Sequence, residues 1–229
     1  MGASGGPNLV KDQLVFTIDA ANAQSYITGS STSTDLIDRQ VCTLYNQTSG
    51  SLSSPKSWQF DGDGDYITWP QTSGQFSQNP MSIEMVLSPN EEDDDGAVML
   101  MDRAAFGGTT GIQVWYNEYS NTTVSFNMRG SSSTRVETST SAFPKGKWYH
   151  VIYTFNSTTG TIYVNGSNAA SGTITSVAAS TSAVVLGKYQ STPNFVIVGR
   201  VALLNIYHKS LSQSEVSQNY SALKSRFGL

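Results

Sequence analysis

The feature that most constrains the fold is the recurrence of short runs of β-branched and aromatic residues, each bounded by Gly, Asn, Ser, Thr or Pro. Such runs are typical of antiparallel strands. In Ile112–Val114–Tyr116 and in Val124–Phe126–Met128, apolar side chains occupy every second position. This alternation indicates sheets with one buried face and one face toward water. The sequence therefore predicts an all-β protein.

About a dozen strands are expected from this pattern. The clearest cover residues 14–19, 58–60, 66–69, 82–87, 97–101, 111–116, 123–128, 148–155, 161–164, 183–187 and 196–207. Turn chemistry predicts two successive hairpins, one through residues 156–160 and one through Asn165-Gly166, because these residue types tolerate positive φ. The hydroxyl-rich stretches 30–34 and 131–134 are predicted to be loops.

One short α-helix is predicted at the C-terminus. Ser212 and Glu215 have the spacing of a capping box, and Val216, Tyr220 and Leu223 follow at helical spacing. Gly228 is placed to end the helix. We expect this helix to pack its apolar stripe across the edge or the end of the sheets.

Composition excludes several partners. The net charge is −4, only 13% of residues are charged, and 34 Ser with 23 Thr supply much of the polar surface. No Lys/Arg-rich run is present, which argues against nucleic acid and against a basic membrane-surface helix. Cys42 is the only cysteine, so neither an intrachain disulfide nor a Cys-based zinc site is expected.

The chain is interpreted as one domain over residues 8–229, preceded by a flexible segment over residues 1–7. That segment has neither a cationic start nor an apolar run, so no secretory signal is expected in it. No stretch approaches the roughly 20 apolar residues of a membrane span. No internal repeat divides the chain.

Four segments of the chain form a recognisable set: LVFTIDAAN at 14–22, WQFDGDGDYI at 58–67, WYHVIYTF at 148–155 with IYVNG at 162–166, and GRVALLNIY at 199–207 with LSQSEV at 211–216. Together they resemble the laminin G-like, concanavalin A-like lectin/glucanase jelly rolls, in the form found in phage virion proteins and bacterial surface proteins. Gly64 stands where the family usually has an Asp. The resemblance implies an antiparallel two-sheet jelly-roll sandwich with one short C-terminal helix.

The resemblance also implies a function class. It favours a non-enzymatic structural, decoration or adhesion protein of a phage capsid or tail, located on the virion and partnered by other virion proteins and by host-surface glycans. The alternative is a secreted or cell-surface bacterial carbohydrate-binding lectin. Homo-oligomers are compatible with either reading.

The turn Asp61-Gly-Asp63-Gly-Asp65 is the candidate cation site. Its Asp-x-Asp-x-Asp spacing opens an EF-hand loop, but Tyr66 and Thr72 replace the Gly and Glu that such a loop requires. Two readings stay open: a Ca²⁺ ion held by Asp61, Asp63 and Asp65, or carboxylates that accept hydrogen bonds from turn N–H groups. The run 91–95 is interpreted as a solvated acidic loop, and folding is expected to be independent of calcium.

For glycan binding, an aromatic face with nearby amides and arginines is the useful chemistry. That mix occurs in six residues at strand ends: Trp115, Tyr116, Asn117, Tyr119, Arg103 and Arg129. The alternative is that alternate aromatics of this stretch fill the core while the others form an oligomer surface.

Enzymatic activity is not expected. No strand carries the two Glu and one Asp with which family glucanases hydrolyse glycosides, and Glu84 has no carboxylate two or four residues onward. The two histidines, His150 and His208, are interpreted as packing or turn residues rather than as catalytic bases.

Overall fold

The computed structural model of the chain describes residues 8–46, 55–70, 76, 79–90, 97–101, 111–116, 126–129, 134–138, 143–174, 182–189 and 195–229; at 97–101, 127 and 129 it describes the backbone. Within these ranges the chain forms fifteen strands and one helix. Their bounds are β1 Leu14–Asp19, β2 Thr32–Thr34, β3 Val41–Tyr45, β4 Trp58–Asp61, β5 Tyr66–Trp69, β6 Met81–Pro89, β7 Ala97–Met101, β8 Gln113–Tyr116, β9 Phe126–Arg129, β10 Arg135–Glu137, β11 Tyr149–Asn156, β12 Thr159–Val164, β13 Ser167–Thr173, β14 Val184–Leu186, β15 Val198–Tyr207 and α1 Gln213–Phe227.

The strands form two antiparallel sheets. The first has the order β1-β15-β6-β11-β12-β13, and β4 pairs with β15 further along the edge that β1 also uses. The second has the order β10-β9-β8-β7-β14-β5-β3-β2. The inner faces of the sheets enclose the main hydrophobic core, where Phe16 of one sheet stacks on Trp69 of the other with ring centroids 4.6 Å apart. The predicted two-sheet sandwich is confirmed.

Two local predictions need correction. Thr32–Thr34, predicted as a loop, is β2, and it pairs with β3. The first hairpin turns at Ser157 rather than across residues 156–160, because Ser157 adopts φ 59° and its N–H donates to Asn79 Oδ1 at 2.8 Å. Gly160 instead lies within β12, where a Cβ would stand 2.7 Å from Ile174 and Met128 side-chain atoms.

The C-terminal helix forms as predicted, with Ser212 and Glu215 as a capping box and Gly228 as a left-handed cap. The predicted position across an edge or end is wrong. The helix lies on the outer face of the first sheet, where Val216 packs with Ile152 and Leu223 packs with Val86. This face is apolar at the centre of the sheet, so the helix covers surface that would otherwise be exposed. Among the described residues, no helix is long and apolar enough to cross a membrane.

A buried carboxylate joins the helix to the sheet. Glu84 on β6 is fully buried and accepts hydrogen bonds from Asn205 at 2.8 Å, Tyr207 at 2.9 Å and Asn219 of the helix at 3.1 Å. His150 Nε2 lies 2.6 Å from the other carboxylate oxygen. Both histidine and carboxylate are thus part of the packing between helix and sheet, as the packing interpretation of His150 predicted.

Candidate functional site

Three adjacent strands of the first sheet place polar side chains in two rows on its outer face. Alternation turns Trp58 and Phe60 of β4 into the core, so Gln59 and Asp61 face outward. The register aligns Gln59 with Arg200 of β15, and Arg200 with Ser88 of β6. Asp61 aligns with Val198 one row further along.

These rows form the walls of a cleft of about 390 Å³ at the end of the sheet that the helix does not cover. Its lining also includes Asn90, which follows β6, and Gly146, which precedes β11. Hydrogen bonds fix both backbones, since Asn90 N–H donates to Val198 O at 2.9 Å and Gly146 N–H donates to Pro89 O at 2.6 Å. The cleft therefore combines amides, a carboxylate, a hydroxyl and a guanidinium on a rigid frame.

Gly199 makes the close approach of β15 and β6 beneath the cleft feasible. It adopts φ +147°, and a Cβ there would stand 2.5 Å from Ser88 O, 3.0 Å from Pro89 Cα and 3.1 Å from Asn90 N. Neighbouring backbone atoms cannot move away as a flexible side chain could. The site thus depends on a glycine at this position.

We expect Gly199→Ala to lower the free energy of unfolding by about 2–4 kcal/mol, because backbone strain of about 1–3 kcal/mol adds to the collision with β6. Urea unfolding measures the difference. Gly29→Ala is the matched control, since Gly29 has φ +86° and nothing within 4 Å of an added Cβ, so strain acts there alone. Equal losses for the two variants would show that the close approach beneath the cleft is not tight.

The guanidinium of Arg200 lies over an aromatic ring. Its guanidinium carbon lies 5.0 Å from the centroid of the Trp148 ring, and Trp148 in turn packs against Phe227 of the helix at 6.1 Å. Arg200 and Trp148 are both half-buried. A guanidinium over the face of an indole ring is attracted to the ring, which favours one position of the Arg200 side chain.

The acidic turn borders the cleft through Asp61. Asp61 Oδ1 accepts from Asp63 N–H at 2.8 Å, and Asp65 Oδ2 accepts from Asp61 N–H at 3.0 Å. These are the turn contacts of the second reading given above. No three Asp, Glu, His or Cys side chains within the described ranges are arranged to hold a metal ion. A calcium ion on Asp61, Asp63 and Asp65 stays a prediction.

Asp65 has a raised pKa. Burial raises it most, the Asp61 N–H opposes this, and the charges of Asp61 and Asp63 raise it further, to about 6. Asp65 is buried, and its Oδ1 has no hydrogen-bond partner among the described residues. The folded protein therefore holds a proton on Asp65 in a pH range where the unfolded chain, with an Asp pKa of about 3.9, has released it.

The raised pKa of Asp65 makes the stability of the fold depend on pH. Below pH ~4 Asp65 is protonated in both the folded and the unfolded state. As pH rises through about 6 the folded protein has to bury the Asp65 charge, which lowers the free energy of unfolding by an amount on the order of 2 kcal/mol. We expect Asp65→Asn to gain stability relative to wild type between pH 4 and pH 7, because an amide carries no charge to bury. Thermal unfolding at the two pH values measures this, with the exposed Asp38→Asn as the control. A pH-independent difference between Asp65→Asn and wild type would contradict the raised pKa.

The structure buries the two described aromatics of the sequence-predicted glycan site. Tyr116 faces the main core, and its hydroxyl lies 3.3 Å from Val198 O, so it supports the backbone of the cleft from beneath. Trp115 lies on the outer face of the second sheet, packed with Tyr189 and Phe195 and only 1% exposed. Neither ring presents an open face for a sugar.

The other four residues of that prediction are not assembled with them by any described contact. Arg103, Asn117 and Tyr119 lie outside the described residues. Arg129 ends β9, where it pairs with Gln113 and Arg135, and its side chain is not described. Sugar binding by these four residues stays a prediction, as do the acidic loop 91–95 and the flexible segment 1–7, which also lie outside the described residues.

Sequence reasoning missed Gln59, Asn90, Trp148 and Arg200 as site residues. The alternation of the strand around Trp58 signalled that Gln59 faces outward. No signal in the sequence aligned it with Arg200, which is far away along the chain. The row exists only because β4 pairs with β15.

Two antiparallel sheets packed face to face, with a helix across one outer face, make the domain a β-sandwich of the jelly-roll class. The family comparison agrees: residues 61–217 match the laminin G-type profile of the concanavalin A-like lectin/glucanases superfamily. The chain belongs to this superfamily. A search of the curated proteins found no match.

Solved structures with the same fold include Trypanosoma rangeli sialidase in complex with the inhibitor DANA, with a TM-score of 0.71, 17% identity, and coverage of 96% of this chain and 34% of that one. The botulinum neurotoxin serotype D ligand-binding domain in complex with N-acetylneuraminic acid has a TM-score of 0.70 and 12% identity, and the match covers 92% of this chain and 51% of that one. The binding domain of Paraclostridial Mosquitocidal Protein 1 has a TM-score of 0.69 and 15% identity, with coverage of 92% of this chain and 52% of that one. The chain thus spans about a third to a half of these proteins, and the likeness establishes the fold.

Proposed function

We propose that the protein is a non-catalytic glycan-binding module that holds its ligand in the cleft around Arg200. The observation that carries this proposal is the pairing of donors with acceptors in that cleft. Arg200 offers N–H donors, Asp61 offers acceptor oxygens, and Gln59 and Asn90 offer both. Sugar hydroxyls also donate and accept, so they match this lining better than a purely apolar or purely charged ligand does.

The size and rigidity of the cleft support the same proposal. About 390 Å³ lies within the roughly 300–1,000 Å³ range of small-ligand sites. The lining residues sit on β4, β15 and β6, or on loop positions tied to those strands by main-chain hydrogen bonds. A preformed site loses little entropy when it binds, which favours useful affinity from few contacts.

The proposal that the module does not cleave its ligand rests on its carboxylates. Glycoside hydrolysis uses two carboxyl groups about 5–9.5 Å apart on either side of the bond. Asp61 is the carboxylate among the described lining residues of the cleft, and it accepts a turn N–H. Glu84 on the neighbouring strand is engaged by four side chains beneath the helix.

The biological setting we propose is a phage particle, on whose capsid or tail the module acts in adhesion or decoration. Many copies on one particle would turn a weak single site into strong attachment to a cell surface. The surface composition, low in charge and rich in Ser and Thr, suits exposure in such an array. A secreted bacterial lectin would use the same cleft but would need a tighter single site.

A glycan array tests the proposal, with the protein displayed both as a monomer and as a multivalent conjugate, in calcium and in chelator. We expect multivalent, chelator-resistant binding that Gln59→Ala and Asn90→Ala both weaken. Arg135→Ala, on the second sheet, is the control and should leave binding unchanged. Tight binding by the monomer would favour the secreted lectin. No binding in any format, or cleavage of the bound glycan, would refute the proposal.

A further inference from the structure

We infer that the sugar held in the cleft carries a carboxylate, and that Arg200 is the residue that selects it. This inference rests on the proposed function and narrows its ligand to acidic sugars, such as uronic acids and keto-acid sugars. It depends on the bonding state of Arg200, which differs from that of the other described arginines.

Every other arginine whose side chain is described bonds to a protein oxygen. Arg135 pairs with Glu137 at 3.0 Å, Arg226 forms a bidentate pair with Asp19, and Arg39 donates to the main-chain oxygen of Gln24 at 3.5 Å. The Arg200 guanidinium lies over the Trp148 ring, and within the described part of the chain its N–H groups reach no acceptor. A guanidinium in a cleft with free N–H groups is well placed to bind an anion.

The geometry favours a planar anion. The contact with the Trp148 ring favours one position of the guanidinium, and Arg200 stands between Gln59 and Ser88 in one row across three strands. A carboxylate accepts two parallel N–H bonds from such a fork, which a single hydroxyl cannot do. Gln59 then stands beside the carboxylate to contact the remaining sugar hydroxyls, while Ser88 is buried beneath the row.

The charges that adjoin the cleft in the sequence are of both signs. Lys145 and Lys147 flank Gly146, and the acidic run that begins at Glu91 follows Asn90; Gly146 and Asn90 both line the cleft. Asp61 is the carboxylate among the described lining residues; its Oδ1 accepts the Asp63 N–H at 2.8 Å, and no described ion pair joins it to Arg200. No carboxylate among the described residues completes the Arg200 fork, and a carboxylate on the ligand would do so.

The test uses acidic polysaccharides and their neutral counterparts. Polygalacturonate, alginate, hyaluronate and polysialic acid are compared with the same polymers after carboxyl reduction, and with a sulfated neutral glucan. Binding is measured by biolayer interferometry for wild type, Arg200→Gln and Arg200→Lys. Arg39→Gln removes the same charge from an exposed site and serves as the control, and thermal unfolding confirms that each variant is folded.

We expect at least one acidic polymer to bind about tenfold to a hundredfold more tightly than its reduced form, the range given by a charge-assisted hydrogen bond or pair. Arg200→Gln should abolish that preference, and Arg200→Lys should retain only part of it because lysine lacks the fork. Equal binding of acidic and reduced polymers, or a preference for the sulfated glucan, would overturn the inference while leaving the proposed function intact. Absence of binding to every polymer would overturn both.

Discussion

Replacing Glu84 with alanine is expected to lower the free energy of unfolding by about 3–5 kcal/mol, the loss measured when one partner of a buried ion pair is removed. Glu84 accepts from Asn205, Tyr207 and Asn219 and contacts His150, and all five side chains are buried. Without the carboxylate, these polar groups lose their acceptor in a place that water does not reach. Urea unfolding with equal slopes for both proteins measures the loss.

The ionised form of Glu84 is the one that stabilises the fold. Burial alone would raise the pKa of Glu84, but the hydrogen bonds and charge of His150, with the hydrogen bonds from Asn205 and Tyr207, outweigh burial and hold the pKa below its usual value. A lowered pKa stabilises the fold above the unfolded-state value of about 4.3, and that stabilisation is lost as pH falls further. The difference between wild type and Glu84→Gln should therefore narrow in acid.

Glu137→Ala is the matched control for Glu84. Glu137 pairs with Arg135 at 3.0 Å on the surface, with the two side chains 24% and 35% exposed, and such pairs contribute about 0–1 kcal/mol. If Glu84→Ala cost no more than Glu137→Ala, the buried carboxylate would not hold the helix to the sheet. In that case, hydrogen exchange would show that amides 213–227 of the helix are as well protected in Glu84→Ala as in the wild type.

The second large effect is expected at Trp58, which anchors β4. Its indole is fully buried and meets Tyr26 edge-on, with ring centroids 5.7 Å apart. Trp58→Ala should cost about 3–5 kcal/mol, as large-to-small core substitutions of this kind do. Because β4 carries Gln59 and Asp61, glycan binding at the cleft should fall with it.

Trp58→Phe separates packing from hydrogen bonding. The Nε1 of Trp58 has no hydrogen-bond partner in the part of the chain that is described, so phenylalanine loses volume but no hydrogen bond. We expect a loss well below that of Trp58→Ala, measured in the same urea unfolding experiment. Equal losses for the two variants would show that the cavity is not what determines the effect.

The sequence predicted strands that are rich in apolar residues, and it predicted the helix with its caps. Leu14–Asp19, Tyr66–Trp69 and Ala97–Met101 have the predicted bounds, because alternation and turn residues act locally. The capping box at Ser212 is local in the same way. Features whose cause lies within a few residues can be inferred from one chain.

The sequence did not reveal strands that depend on their partners. Thr32–Thr34 and Ser167–Thr173 are hydroxyl-rich or made of small residues, and they carry no apolar alternation. They are strands because β3 and β12 offer them main-chain hydrogen bonds. The position of the helix was mispredicted for a related reason. The helix packs on apolar residues of the outer sheet face, such as Val86 and Ala202, which lie on strands far away along the chain.

The sequence did not predict the cleft, because the cleft is created by the register in which the strands pair. Gln59, Ser88 and Arg200 face one side of a sheet by alternation, but only pairing across β4, β15 and β6 places them side by side. Composition directed attention instead to Trp115 and Tyr116, where aromatic and polar residues are dense in the sequence. Their burial follows from packing against partners that the sequence does not identify.

The location of the bound sugar tests the central claim most directly. Amide chemical shifts of the ¹⁵N-labelled protein are followed during titration with an oligosaccharide of the polymer that binds best in the panel above. The account predicts saturable shifts at Asn90, Gly146 and Arg200, around the cleft of the first sheet. Shifts confined to the region of Trp115 and Val185 on the second sheet, or no saturable shifts at all, would contradict it.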